Sequence, residues 1–537
     1  MKSPLLILIA LFLCLSQTKL SAQVLNNKRV IVTFKPLTPA AYADSLRRSL
    51  SGGHVSEIGN LCLTDTRLWL LPDTADVLNV IGTISGGGRT HVVDTDQPNY
   101  EMPSHEDAQN AAPFLSPALT VGLFDSVPNA TNYPNSIYFN NLLHPACAAG
   151  AQQTLIAIID AGLDPIHAAS ATFRRHLYEP SFDNGCCVRL SGFGYDFVNN
   201  LQTPVDSNGH GTFVTSELVQ LLESWGDNTT KLMILKVIAA NGKGNTWNVI
   251  RALEKAACSG AKIVNMSIAG TRLKQPDSLN VLKSMMKYYG DNYKMLFVVG
   301  AGNFGSDYSN FPNSEIFPAS FNLPNMICVA ADSIITTLAK FSNYDTQGGA
   351  VHLAAPGVKV YGATLGGKFK TASGTSVAAP IVSAIAAFYA SRRTTAEFDV
   401  SVIRTAIQKS LWTIDINRPA YPQTAWHGLA WLYCRIPLAA SPTRLLSTAA
   451  WEKTPAFFVS STLFHESLTV HFAPDTEGVA DLRITDVMGK VVLSKTIQCQ
   501  KGDNTFTWSP ESALPHGLYI IAVNKDEVHY YEKVVKY

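Results

Sequence analysis

The chain has no charge excess: 42 lysines and arginines face 41 aspartates and glutamates across 537 residues, leaving a net charge of +1. A nucleic-acid-binding chain needs a strong basic surplus, so that partner class is set aside. Long hydrophobic runs are also scarce. The apolar stretch Leu5 to Leu15 is too short to cross a bilayer, and no other segment reads as a membrane span. With Lys2 before it and Leu20-Ser21-Ala22 after it, the stretch makes residues 1–22 a signal peptide. Cys14 follows Leu13, which is too large for a lipoprotein cleavage site. Export is therefore expected. No acidic cluster has calcium-ligand spacing, so no metal or cofactor is assigned.

Against those absences stands Gly374-Thr375-Ser376-Val377-Ala378-Ala379-Pro380. The small apolar run Val377 to Ala390 predicts a buried helix that starts at or beside Ser376. A helix N-terminus favours developing negative charge. A serine hydroxyl still needs a base to become a nucleophile. Two earlier stretches offer partners. The β-branched run Thr154 to Ile159 predicts a buried strand ending in Asp160-Ala161-Gly162, and the C-terminal end of such a strand is where open α/β sheets place chemistry. Asp206-Ser207-Asn208-Gly209-His210-Gly211-Thr212 sets a histidine between glycines, ahead of a helical run from Phe213 to Leu222. Asp206 fits a loop cap or a supporting role to His210 equally well. In the order Asp, His, Ser, these groups fit a triad. A third strand, Met295 to Val299, runs into Gly300-Ala301-Gly302-Asn303, whose amide could donate to an oxyanion beside the Ser376 N–H. Each piece alone reads as a turn, a cap or a core feature; the set does not.

The four motifs, I-I-D-A-G, N-G-H-G-T, G-A-G-N and G-T-S-V-A-A-P, resemble those of the subtilisin-like serine peptidases over about residues 115–438. The resemblance implies an α/β, doubly wound parallel sheet and peptide-bond hydrolysis by Asp160, His210 and Ser376 through an acyl-enzyme, with Asn303 at the oxyanion. Leu235 to Gly244 resembles the family's edge strand that binds extended substrate, and Val264 to Ala269 the strand across the cleft. Gly242, Lys243, Gly244, Ser267, Ile268 and Ala269 are thus the expected substrate-binding residues. The partners implied are protein or peptide substrates. A structural calcium is common in the family and stays open here. Ala161, Phe213, Val377 and Ala269 depart from usual family residues without removing a catalytic group.

Residues 23–112 alternate strand and helix patterns: strand Arg29 to Phe34, helix Pro39 to Leu50, strand Leu68 to Leu71, helix Thr74 to Ile84, strand His91 to Val93. This α+β order resembles the inhibitory propeptide of subtilases, which chaperones folding and then lies with its tail across the cleft. Residues 439–460 read as a linker. Residues 461–537 predict a β-sandwich of short strands. Leu482 to Val491, Leu514 to Tyr519 and Lys533 to Lys536 resemble the sorting domain read by the type IX secretion machinery, which implies a secreted or cell-surface protein that passes through the periplasm. A monomer is expected. Of nine cysteines, Cys147, Cys186, Cys187 and Cys434 are the candidates for disulfides. Cys258 and Cys328 read as buried small hydrophobes. Two competing readings are a surface adhesin on an inactive peptidase fold, which the intact Asp, His, Ser and Asn oppose, and an α/β-hydrolase esterase, which the motif order and the lack of a G-x-S-x-G elbow oppose.

Overall fold

A computed structural model describes most of residues 28–101, 152–410 and 457–536, short loops apart. The signal peptide, residues 102–112, the start of the linker, and Cys147, Cys186, Cys187 and Cys434 lie outside the described residues.

The N-terminal unit comprises β1 (Arg29–Phe34), α1 (Ala40–Ser49), β2 (Ser56–Asn60), β3 (Thr66–Leu70), α2 (Val77–Gly86) and β4 (Thr90–Thr95). Its sheet order is β2-β3-β1-β4. β1 is apolar almost throughout because both of its faces are covered. Val30, Val32 and Phe34 enter the unit's own core, whereas Ile31 joins the large core of the next domain. β2, which sequence patterning did not predict, is mostly exposed and polar (Ser-Glu-Ile-Gly-Asn) and carries no apolar alternation. Last comes β5, the two residues Tyr100–Glu101.

The middle domain holds β6 (Thr154–Asp160), α3 (Pro165–Ala169), α4 (Ala171–His176), β7 (Gly194–Asp196), α5 (His210–Ser224), β8 (Thr230–Lys236), β9 (Lys243–Gly244), α6 (Thr246–Cys258), β10 (Ile263–Met266), β11 (Ala269–Leu273), α7 (Val281–Tyr293) and β12 (Leu296–Gly300). It continues through β13 (Ser314–Phe317), β14 (Met326–Ile334), β15 (Thr337–Leu338), β16 (Leu353–Pro356), β17 (Val360–Thr364), β18 (Lys368–Ala372), α8 (Thr375–Ser391) and α9 (Val400–Ser410). Strands β7-β8-β6-β10-β12-β14-β16 pair in parallel, and β15 adds antiparallel to β14. From β6 the chain passes to the edge strand β7, returns through α5 to β8, and then crosses β6 to β10 and on to β12. α5 packs against α8, whereas α6 and α7 pack against each other. The reversal occurs at β6, so its C-terminal end opens onto a crevice.

The C-terminal domain pairs a three-stranded sheet, β19 (Phe457–Val459), β21 (Leu468–Phe472) and β24 (Asn504–Trp508), with a five-stranded one. The latter contains β20 (Leu463–Phe464), β22 (Gly478–Asp486), β23 (Val491–Cys499), β25 (Gly517–Lys525) and β26 (Val528–Lys536). Val470, Phe472 and Trp508 meet Leu482, Ile484, Ile521 and Val534 in a core of their own. β19 falls inside the stretch read as linker, yet it pairs with β21 and belongs to this domain.

Candidate active site

Asp160 ends β6 fully buried. Its Oδ1 accepts from its neighbour's backbone, Ala161 N–H, at 2.7 Å, and from His210 Nδ1 at 2.8 Å; Oδ2 lies 3.1 Å from the same nitrogen. The backbone thus supplies a donor next to a position where the side chain has none to offer. His210 is the first residue of α5, and Gly209 before it has φ 101°, a left-handed conformation that glycine adopts freely. Gly211 is fixed by crowding instead: a Cβ there would sit 2.4 Å from the Gly162 carbonyl oxygen. Both glycines are what let the histidine loop close over the aspartate turn.

Asp206 holds that loop. Its Oδ1 accepts from Asn208 and Gly209 N–H, both at 2.8 Å, and its Oδ2 accepts from Thr212 N–H and hydroxyl. Burial pushes the His210 pKa down. The Asp160 charge and hydrogen bond, with the Asp206 charge behind them, outweigh burial and the opposing Lys370, so the imidazole titrates above its ordinary value. Its other nitrogen, Nε2, is buried and has no hydrogen-bond partner.

Ser376 is the second residue of α8, buried, with Gly374 as N-cap. A side chain at Gly374 would press on the site. A Cβ there would lie 3.0 Å from Ser376 Oγ and 3.2 Å from Asn303 Nδ2, so those two atoms flank one point. Asn303 is oriented by two donors: its Oδ1 accepts from Thr375 N–H and Thr375 Oγ1–H, both at 2.9 Å. A backbone N–H only donates, so the amide oxygen must face Thr375 and the NH₂ must turn toward Gly374.

Pro380 lies inside α8 and lacks the N–H that would bond the Ser376 carbonyl four residues back. Ser267 Oγ–H donates to that carbonyl instead, at 2.7 Å, while accepting from Asn265 Nδ2 at 3.0 Å. The strand end at Ser267 is thereby tied to the serine turn. Neither this link nor Lys236 was visible in sequence. Lys236 ends β8 buried, and its ammonium donates to the Ala161 and Ile238 carbonyls at 2.7 and 2.8 Å. Burial lowers its pKa, opposed by the charges of Asp196, Asp206 and Asp160. The one signal was a lysine closing the apolar run Leu232 to Leu235.

The expected substrate strands are β9 and the β10–β11 segment. β5, from the chain's own N-terminal unit, lies between β9 and β11. Glu101 pairs with Lys243 on one side and Ala269 on the other, and Tyr100 with Gly244 and Gly270. Gly242 is at the turn before β9, with φ 78°. Ser267 and Ile268 are buried just ahead of β11. Phe213, one of the departures, packs its ring where Gly362 of β17 would carry a Cβ, 2.8 Å away.

Cys258 overturns its sequence reading. It is half-buried and disulfide-bonded, as is Cys62, whereas Cys328 and Cys499 are buried and free. Among the described residues no group of three or more His, Cys, Asp or Glu side chains converges as a metal site, and no helix is long and apolar enough to cross a membrane.

Residues 151–425, more than half the chain, match the model of the subtilase family. The chain belongs to the subtilase family. It is 30% identical over 313 residues to a thermophilic serine proteinase of Bacillus sp. (strain AK1), covering 56% of this chain and 69% of that protein. It is 31% identical over 222 residues to thermitase of Thermoactinomyces vulgaris, covering 40% and 72%. An epidermin leader peptide processing serine protease from Staphylococcus aureus shares the fold at TM-score 0.53 and 16% identity, over 75% of this chain and 96% of that one. Residues 464–537 match a secretion system C-terminal sorting domain. This subtilase is thus a serine peptidase with a secretion tail.

Proposed function

We propose that this subtilase is an exported endopeptidase, made as a zymogen, that cuts peptide bonds with Asp160, His210 and Ser376. The observation that carries the reading is the imidazole of His210, held by Asp160 through Nδ1, together with Ser376 Oγ and Asn303 Nδ2 flanking Gly374. The acid keeps the Nδ1 proton in place. Nε2 takes the Ser376 proton as Oγ attacks the scissile carbonyl. Asn303 Nδ2 and the Ser376 N–H, at the start of a helix, stabilise the oxyanion. The imidazolium gives its proton to the leaving amine, and water then hydrolyses the acyl-enzyme by the same route.

The paired strand β5 supports a second part of the reading. Residues 23–112 act as inhibitory propeptide, and their tail occupies the groove as a peptide substrate would, held as an added strand. Self-cleavage falls C-terminal to Glu101. The sorting domain hands the protein to type IX secretion machinery. A fluorophosphonate probe tests the chemistry: it should label the processed wild type, treated first with dithiothreitol, and not Ser376→Ala treated alike. Equal labelling of both would refute the assignment, and labelling of neither would favour an inactive binding protein on this fold.

A further inference from the structure

Apart from β5, the N-terminal unit meets the peptidase domain at a buried carboxylate. The backbone N–H groups of Cys62 and Leu63 both donate to Glu254 Oε1, each at 2.6 Å. Glu254 is a buried carboxylate on α6, and apolar contacts flank it. Leu61 and Leu68 join the large core, and Gly59 lies so close to the Trp247 indole that a Cβ would be 2.7 Å from it. Cys258 follows Glu254 by four residues on the same helix. Positions four apart are neighbours on one helical face, with Cβ atoms about 5–6 Å apart. The residue whose N–H is bonded to Glu254 therefore sits beside Cys258. Both Cys62 and Cys258 are disulfide-bonded, and the other two described cysteines are free.

We propose that Cys62 and Cys258 are joined to each other, so that the N-terminal unit stays covalently attached after its tail is cut and departs only when a thiol reductant opens the bond. The release step rests on the propeptide reading above; the bond itself does not. Cutting the backbone beyond Glu101 would leave two chains held by one sulfur–sulfur link. A tethered inhibitor has a high effective concentration at its site that dilution does not lower. The peptidase thus remains blocked wherever the surroundings are oxidising.

The chemistry of release is ordinary exchange. Cys62 is exposed and Cys258 half-buried, so attack comes from the Cys62 side. One thiolate of a dithiol attacks Cys62 Sγ, the Cys62–Cys258 bond breaks, and Cys258 leaves as thiolate and takes a proton from water. The second thiol of the reductant attacks the mixed disulfide. Cys62 leaves as a thiol and the reductant departs as its disulfide, having given two electrons. The N-terminal fragment is then free to dissociate and be digested.

The test uses the full chain, exported into an oxidising compartment, as wild type and as Ser376→Ala. Non-reducing peptide mapping of the uncut Ser376→Ala protein should find one cross-linked peptide pair containing Cys62 and Cys258, lost on treatment with dithiothreitol. Either cysteine bonded elsewhere would overturn the proposal. For processed wild type, gels should show one linked species without dithiothreitol and two chains with it, and casein hydrolysis should appear only with it. Cys62→Ser should shed its fragment and hydrolyse casein without any reductant. Fragment release from wild type under oxidising conditions would overturn the release step. A wild-type chain that stays uncut even when reduced would sink self-processing instead, while the peptide map still decides the bond.

Discussion

The two units that flank the peptidase domain are built to opposite rules. The N-terminal sheet shares its apolar surface with its neighbour: Ile31, Leu61 and Leu68 belong to the large core, Trp247 covers Gly59, and β5 completes a sheet with β9 and β11. The C-terminal sandwich closes its own core between its two sheets, from Val470 and Trp508 to Ile484 and Ile521. A unit whose hydrophobic surface is finished by another domain is coupled to that domain's folding and access. A unit with a closed core can be read by a partner without disturbing what it is attached to.

The comparison is broken most directly by deleting residues 457–537. Export should fail almost completely, with the protein held in the periplasm, while casein hydrolysis by the periplasmic fraction, assayed with dithiothreitol, persists. Equal amounts of truncated and full-length protein outside the cell, or loss of periplasmic activity, would mean that the sandwich is not a separable address. Within the peptidase domain, Asn303→Ala should lower kcat about 10²–10³-fold with KM little changed, as loss of one oxyanion donor does. An unchanged kcat would reduce Asn303 to the residue that pins Thr375.

The smallest expected effect concerns Glu217, seven residues along α5 from His210. It is fully buried, and neither carboxylate oxygen has a hydrogen-bond partner. Burial raises its pKa well above the usual range. The folded carboxyl stays neutral while the unfolded one ionises above about pH 4.3, so stability is lost as pH rises from there toward the folded pKa. Glu217→Met should stabilise the protein by about 1–3 kcal/mol near pH 8 and less near pH 4, read from urea unfolding of the Ser376→Ala background at both pH values. A destabilisation at pH 8 would show that the carboxyl has a partner after all.

How much of this was legible in the sequence follows from how local each signal is. The Asp160, His210, Asn303 and Ser376 turns announce themselves through glycines, and the structure supplies the physical reasons: a left-handed φ at Gly209, crowding at Gly211 and a tight fit at Gly374. β24 is legible because Asn504–Trp508 alternates cleanly between faces. β2 was missed because an exposed edge strand needs no apolar alternation. The bond from Ser267 to the Ser376 carbonyl joins residues 109 apart in the chain and depends on an N–H that Pro380 lacks. Cys258 looked like a core residue because it follows the buried Ala256 and Ala257 at the end of α6. What failed was long-range pairing, on which local pattern carries no information.

The central claim is that the chain's own tail is the first peptide cut at Ser376. N-terminal sequencing of purified wild type and Ser376→Ala, made in a host without other exported peptidases and reduced before analysis, tests it most directly. Wild type should begin beyond Glu101, and the mutant should keep the sequence around Val30 and show no casein hydrolysis. A mutant that begins beyond Glu101 would assign processing to another enzyme, and one that also digests casein would remove Ser376 from the mechanism.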